Sequence, residues 1–334
     1  MPSFVRSAAL FTFLALIPAC GRGDEVVEEQ KVHTKQESTT LAAEGTAKDE
    51  AAMKQRQADT EEKLRQNAAK KKLSVLRIQL EEAQKTGDGF DIAEVIAKIA
   101  ELGDMAAPFE PQLEPFLKHE DEDVRISALK TLVAIRQGKA RPTLQAAFED
   151  ENDAVRAAAL RLWRKAEIKE TAPVLAMLDD YDSNVQYEAV AALQAADPDV
   201  VVLEKITQKV NDFQGPTARL ALTIGIENKD RLGAAVVDAL VIELLDHQDR
   251  RTRIDAMDQA HANKMLRKGV AEKMISILRN DPEEDVRKRA HEIMLIWAGA
   301  GAPAYDPTAD EASRREAAEA WRAWLAANAS KFGG

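Results

Sequence analysis

Five histidines, His33, His119, His247, His261 and His291, and a single cysteine, Cys20, are the side chains in this 334-residue chain best suited to metal or nucleophilic chemistry. Two of the histidines precede a glutamate, His119-Glu120 and His291-Glu292, and such a pair offers one ion both an imidazole and a carboxylate. None stands in a His-Glu-x-x-His pattern, so no helical turn presents two imidazoles and a base together. A lone cysteine excludes an internal disulfide and a cysteine-based zinc site. The chain also lacks a phosphate-cradling Gly-rich loop and a Gly-x-Ser-x-Gly elbow. These residues imply no metal, no cofactor and no catalytic activity.

What does recur is acid. Glu120-Asp121-Glu122-Asp123, Glu149-Asp150-Glu151, Asp179-Asp180-Tyr181-Asp182, Asp246-His247-Gln248-Asp249 and Asp281-Pro282-Glu283-Glu284-Asp285 form a series of similar short clusters. Two roles stand open. The acids can cap helices and keep the surface soluble. Alternatively Asp121, Asp123, Asp150, Asp153, Asp180, Asp182, Asp249 and Asp285 form an acidic ridge that draws a basic partner or divalent cations. No cluster has calcium-loop spacing. The net charge of −11 argues against nucleic acid as a partner, since phosphate binding needs a basic face.

The elements that position these clusters are read from an internal repeat. Each cluster leads into Val-Arg or a variant of it, with a small residue three positions later. The reference positions are Arg125, Arg156, Gln186, Arg219, Arg253 and Arg287, followed by Ala128, Ala159, Ala189, Leu222, Ala256 and Ala290. Successive spacings are 31, 30, 33, 34 and 34 residues. Twelve positions before each reference stand Leu113, Leu144, Val174, Thr207, Val241 and Ile275, and seven after stand Leu132, Trp163, Leu193, Ile226, Ala260 and Met294. These offsets put one apolar stripe on a first helix and another on a second. Each unit is then a helical hairpin that cannot cover its own apolar face and must stack on its neighbours. A composition of 45% apolar but only 5% aromatic residues suits such all-α packing. The unit around Arg219 matches least well, with Lys209, Asn211, Asp212 and Gly215-Pro216 interrupting it.

The pattern resembles HEAT repeats, in particular the short bacterial form also found in phycobilisome lyase-type proteins, with Leu102-Gly103-Asp104 leading to Pro108 as its connection between units. The resemblance covers residues 90–300, Phe90 to Leu102 forming a partial first unit, and implies an α-solenoid of about six to seven hairpins. It also implies that each reference Arg lies between units and bonds to acidic or carbonyl groups, while the Ala allows close approach. The His-Glu pairs are similar to those of deoxyhypusine hydroxylase, a HEAT-fold iron enzyme. That family places four pairs at matching positions, whereas the two here sit six before and four after the reference Arg. Beyond Pro303-to-Pro307, residues 308–330 read as a capping helix with Trp321, Trp324 and Leu325 on one face. This face either packs on the last repeat or stands exposed as an aromatic anchor.

At the other end, Arg6 precedes an apolar run over residues 7–17, too short to span a bilayer and suited to a signal peptide. Ile17-Pro18-Ala19-Cys20 resembles the lipobox of bacterial lipoproteins, although Ile17 and Pro18 stand where leucine and a smaller residue are usual. The resemblance implies removal of residues 1–19, acylation of Cys20 and attachment to the cell envelope. Gly21 after the cysteine implies the outer membrane, facing the periplasm or the cell surface. Residues 20–46 lack periodic apolar positions and read as a disordered, lipidated tether. Residues 47–86 read as a charged helix; a coiled coil is the sharper alternative, but the apolar spacing does not sustain three heptads. The function that follows is a membrane-anchored scaffold binding a protein or peptide on a concave face lined by second helices. A spacer joined through the N-terminal helix is the alternative, and an enzyme with a site in the groove the remotest reading.

Overall fold

The computed structural model describes residues 25–333, with side chains from residue 52 onward, so the signal segment and Cys20 lie outside the described residues. The chain divides into two compact units, residues 1–70 and 71–334. In the first, residues 25–70 belong to one long helix, Glu25–Thr86. Helix therefore replaces the disordered tether expected over residues 25–46. Ala, Glu, Lys and Gln are strong helix formers, and extending a helix from the segment beyond Ala47 avoids the nucleation step. Residues 52–68 are solvent-exposed throughout, Met53 and Leu64 included.

The second unit is an all-α solenoid. Its first hairpin pairs the end of the long helix, from residue 71, with Gly89–Ala100. Leu76, Leu80 and Ala83 are buried with Ile92, Val95, Ile96 and Ile99 in a common core. The array thus starts at residue 71, not at Phe90, because Leu73, Leu76, Leu80 and Ala83 already carry a helical apolar stripe beneath the surrounding charge. Six more hairpins follow, with second helices Glu122–Arg136, Asp153–Lys165, Ser183–Ala195, Gly215–Glu227, Arg250–Ala262 and Glu284–Ala298. From Gly89–Ala100 onward, each second helix packs on the next.

The positions read as apolar stripes are buried, apart from the half-buried Ile226. Leu113, Leu144, Val174, Val241 and Ile275 of the first helices are fully enclosed, as are Leu132, Trp163, Leu193, Ala260 and Met294 of the second. At the seams Ala128, Ala159, Ala189, Ala256 and Ala290 are completely buried, and a larger residue there would hold the helices apart. Several first helices are a single turn or little more, begun by Pro111, Pro142 or Pro173 at a position where the missing amide costs nothing. Second helices begin at side-chain caps: Asp121, Asn152, Asp182 and Asp249 accept backbone N–H groups of their first turns.

The last helix, Glu311–Ala327, packs against Lys268–Asn280. Trp321 and Ala318 are completely buried there, so Trp321 seals the end of the array instead of standing as an exposed anchor.

Candidate functional site

The reference arginines make up the most regular polar feature of the second unit. Each lies three residues into its second helix, apart from Arg219, which lies four in, and the helix start aims the guanidinium at the loop before it. Arg125 Nη1 donates to the His119 and Glu120 carbonyls at 2.7 and 3.0 Å, while Nε and Nη2 each reach the Asp150 carboxylate of the next unit at 3.0 Å. Arg156 repeats the arrangement with the Asp150 and Glu151 carbonyls at 2.9 and 3.2 Å, and with Asp180 at 2.7 and 2.8 Å. Arg253 does so again with the His247 and Gln248 carbonyls and with Asp281, to which Nη2 donates at 3.0 Å while Nε makes an ion-pair contact at 2.8 Å. Arg287 closes the series on the Asp281 and Pro282 carbonyls and, where no carboxylate follows, on the Pro307 carbonyl at 2.8 and 3.0 Å.

Two units depart from this scheme. Gln186 keeps only the inner bond, to the Asp180 carbonyl at 2.8 Å, because a neutral amide has no fork to offer the next unit. Arg219 has lost its inner bonds and instead reaches Asp249 at 2.8 Å and Asp255 at 3.4 Å. Gly215-Pro216, expected in the loop, instead opens the helix, and the loop before it presents Phe213 where the others present Asp or His.

The acidic clusters are largely absorbed by this scaffolding. Asp150 and Asp180 are arginine partners; Asp121, Asp182 and Asp249 cap helices; Asp123 and Asp153 sit in first turns; and Asp285 pairs with Arg250 at 3.2 Å. Burial pushes the Asp180 carboxyl up, but the Arg156 fork and the Asp182 N–H outweigh it and hold the group below its ordinary value. The hydrogen bond to Asp180 likewise raises Arg156 above the usual guanidinium range, against the effect of burial. Tyr181 lies over the Arg156 guanidinium, 4.7 Å from its ring centre.

The histidines take structural places. His119 and His247 occupy the loop position that Asp150, Asp180 and Asp281 hold elsewhere, and the side chain at that position accepts the N–H two residues on. The distances are 3.1 and 3.0 Å for the imidazoles and 2.9, 2.9 and 3.0 Å for the carboxylates. Since His247 Nδ1 accepts, its Nε2 carries the proton and donates to the Phe213 carbonyl at 3.0 Å, which ties two units together. His261 accepts from Trp297 Nε1 at 3.3 Å. His291 packs against Tyr305 and Trp321, with ring centres 5.0 and 6.1 Å away. The two His-Glu pairs are thus separate, and among the described residues no group of His, Cys, Asp and Glu is placed to hold a metal ion.

One copy escaped the sequence pattern. Arg314, three residues into the last helix, donates to the Ala309 carbonyl at 2.7 Å as the other arginines do within their own loops. Its 27-residue distance from Arg287 falls short of the 30–34 of the other units, and no valine precedes it.

Charged side chains of successive second helices pair between units. Arg161 and Arg164 share Glu188 at 3.3 and 3.2 Å, Arg289 meets Asp258 at 2.6 Å, and Gln194 bonds to Glu227 at 3.3 Å. Tyr187, Leu295 and Ile296 are exposed among them.

Comparisons with known proteins agree with the repeat reading. Residues 91–164 match the family model described as HEAT repeats. Two crystal structures of engineered proteins align at 16% identity. One covers 73% of this chain and 75% of its own with a TM-score of 0.38, the other 65% and 93% with a TM-score of 0.28. Curated proteins give no match. Residues 91–164, which match HEAT repeats, lie within the all-α solenoid of stacked hairpins.

Proposed function

We propose that the protein is a lipid-anchored interaction scaffold of the bacterial envelope that presents the outward side of its second helices to a protein or peptide partner. The observation that carries this reading is the run of charged, solvent-reaching side chains along successive second helices, from the exposed Arg161 to the half-buried Asp258 and Arg289, held in place by inter-unit ion pairs such as that of Arg161 with the more enclosed Glu188. Such a row offers several shallow, spaced contacts, the way repeat proteins engage extended partners. The lipobox-like Ile17-Pro18-Ala19-Cys20 supplies the anchor. Two or more acyl chains on Cys20 would hold the chain stably, where one would hold it marginally. Among the described residues no helix is long and apolar enough to cross a membrane.

The test is affinity capture from detergent-solubilised envelopes with the wild-type chain and with a face variant, Arg161→Glu/Arg289→Glu. Capture lost in the face variant supports the scaffold, and capture indifferent to it opposes it. Cys20→Ala should move the protein from the membrane to the soluble fraction.

The long helix favours a second reading, that of a spacer. Residues 25–70 form 46 helical residues, about 70 Å at 1.5 Å per residue. Deleting residues 25–70 leaves the first hairpin whole, so assembly lost with partner capture retained would favour the spacer.

A further inference from the structure

We propose that the second helices Glu122–Arg136 and Asp153–Lys165 form the docking site for an extended acidic segment of the protein partner, anchored by Arg161 and Arg164. The proposal rests on the scaffold reading and adds the chemistry of the partner. From residue 126 in the first helix and residue 157 in the second, every charged side chain is basic: Lys130, Arg136, Arg161, Arg164 and Lys165. Arg136 is taken up by Glu110 at 2.8 Å and by Glu114, whereas the other four are exposed. Among the described residues these four meet one carboxylate, that of Glu188 on the next second helix. Three positive charges are thus left in surplus on a chain whose net charge is −11.

Glu188 does not saturate the two arginines it meets. Its side chain is 12% exposed and touches Arg161 Nη1 at 3.3 Å and Arg164 Nη2 at 3.2 Å, one nitrogen of each guanidinium. The ladder arginines Arg125 and Arg156 instead offer two nitrogens to one carboxylate at 2.7–3.0 Å. A guanidinium carries five N–H groups in a fixed fork, so an incoming carboxylate gains the bidentate contact that Glu188 does not make. Beyond Ser183–Ala195 the balance reverses. Past their first turns, Gly215–Glu227 and Arg250–Ala262 carry Glu227, Asp255 and Asp258, with Arg219 as their one Lys or Arg, and an acidic segment is repelled there.

The repeat itself sets the form of the ligand. Lys130 and Arg161 stand at the same place in adjacent units, five residues after Arg125 and Arg156, and their helices pack together. Packed helices lie about 8–10 Å apart, a distance that an extended chain covers in about three residues at roughly 3.3 Å each. An acid at every third residue therefore keeps step with the units, whereas a single carboxylate or phosphate meets only one of them. An extended acidic segment is the occupant that uses both.

Capture from envelopes tests the scaffold whatever the partner's charge, so the acidic segment can fail while that reading stands. The probe is a fluorescein-labelled peptide, Gly-Asp-Glu-Ser-Asp-Glu-Ser-Asp-Glu-Gly, titrated by anisotropy into the full-length chain at low salt. Wild type should bind it saturably, and Arg161→Ala/Arg164→Ala should weaken binding at least about fivefold. Glu188→Gln removes the competing carboxylate and should tighten binding about threefold or more, a gain that loss of structure would not produce. Arg289→Ala, outside the basic stretch, should change affinity by less than about twofold. A probe with Asn for Asp and Gln for Glu should not bind. With circular dichroism melts unchanged, absence of saturable binding, equal binding to the double variant, or no gain in Glu188→Gln would overturn the proposal. So would displacement of the probe by tripolyphosphate or phosphatidylglycerol vesicles at a lower charge concentration than the unlabelled peptide needs, which would assign the surplus to phosphate.

Discussion

A buried guanidinium is tolerable only when its donors are met, and Arg156 shows how the repeat meets them: two carbonyls of its own loop and both oxygens of Asp180. Arg156→Ala would leave the Asp180 carboxylate enclosed without its partner, at a cost of about 3–5 kcal/mol in urea unfolding. The same pair fixes a response to acid. Because the folded Asp180 carboxyl binds its proton more weakly than the unfolded one, the pair's contribution is complete above the ordinary carboxylate value of 3.8 and is lost as pH falls below it. Asp180→Asn should therefore be less stable than wild type at pH 7, with the gap closing below about pH 4. Gln186 is the natural counterpart: its amide keeps the inner bond and makes none to the next unit, whose loop offers Phe213.

At the level of elements, much of the fold was legible. The Val-Arg-x-x-Ala signature and its variants mark the start of six of the seven second helices, because a residue before it must cap, one position must bridge and one must be small. The first hairpin was not legible from that signature, since its second helix has Ile92 where most of the others have Arg and one has Gln186. Its first helix also hides Leu76 and Leu80 among lysines and glutamates. Leu76→Ala or Leu80→Ala should cost about 2–5 kcal/mol. Leu64→Ala, on the exposed part of the same helix, should change stability by less than about 0.5 kcal/mol. The places of His119 and His247 were hidden for a different reason: an imidazole there does the work of an aspartate, and residue type alone does not show it.

The C-terminal cap carries its own titration. His291 packs against Tyr305 and Trp321, its Nε2 has no hydrogen-bond partner among the described residues, and burial lowers its pKa below 6.5 while Glu292 opposes. The neutral ring is thus favoured by folding, and stability present above pH 6.5 declines as pH falls through that value. Between pH 7 and 5 the wild-type melting temperature should drop by more than that of His291→Leu, as differential scanning calorimetry can measure.

For the molecule as a whole, the function was less legible than the fold because the residues that repeat are the ones that build it. The acidic clusters invited a ligand, yet Asp150, Asp180 and Asp281 are matched by arginines, and Asp121, Asp182 and Asp249 by helix amides. Exposed positions that follow no repeat, such as Tyr187 and Ile296, are not singled out by a periodic reading.

The central claim is that each hairpin is stable only through its neighbours. Ala159 is completely buried where Asp153–Lys165 meets the adjoining second helices, and Ala159→Trp would force that seam open. Native-state hydrogen exchange on this variant, read helix by helix, is the most direct test. The account predicts lost protection in Glu122–Arg136, Asp153–Lys165 and Ser183–Ala195, with Glu284–Ala298 close to wild type. Loss confined to the mutated helix, or spread evenly over all seven hairpins, would contradict it.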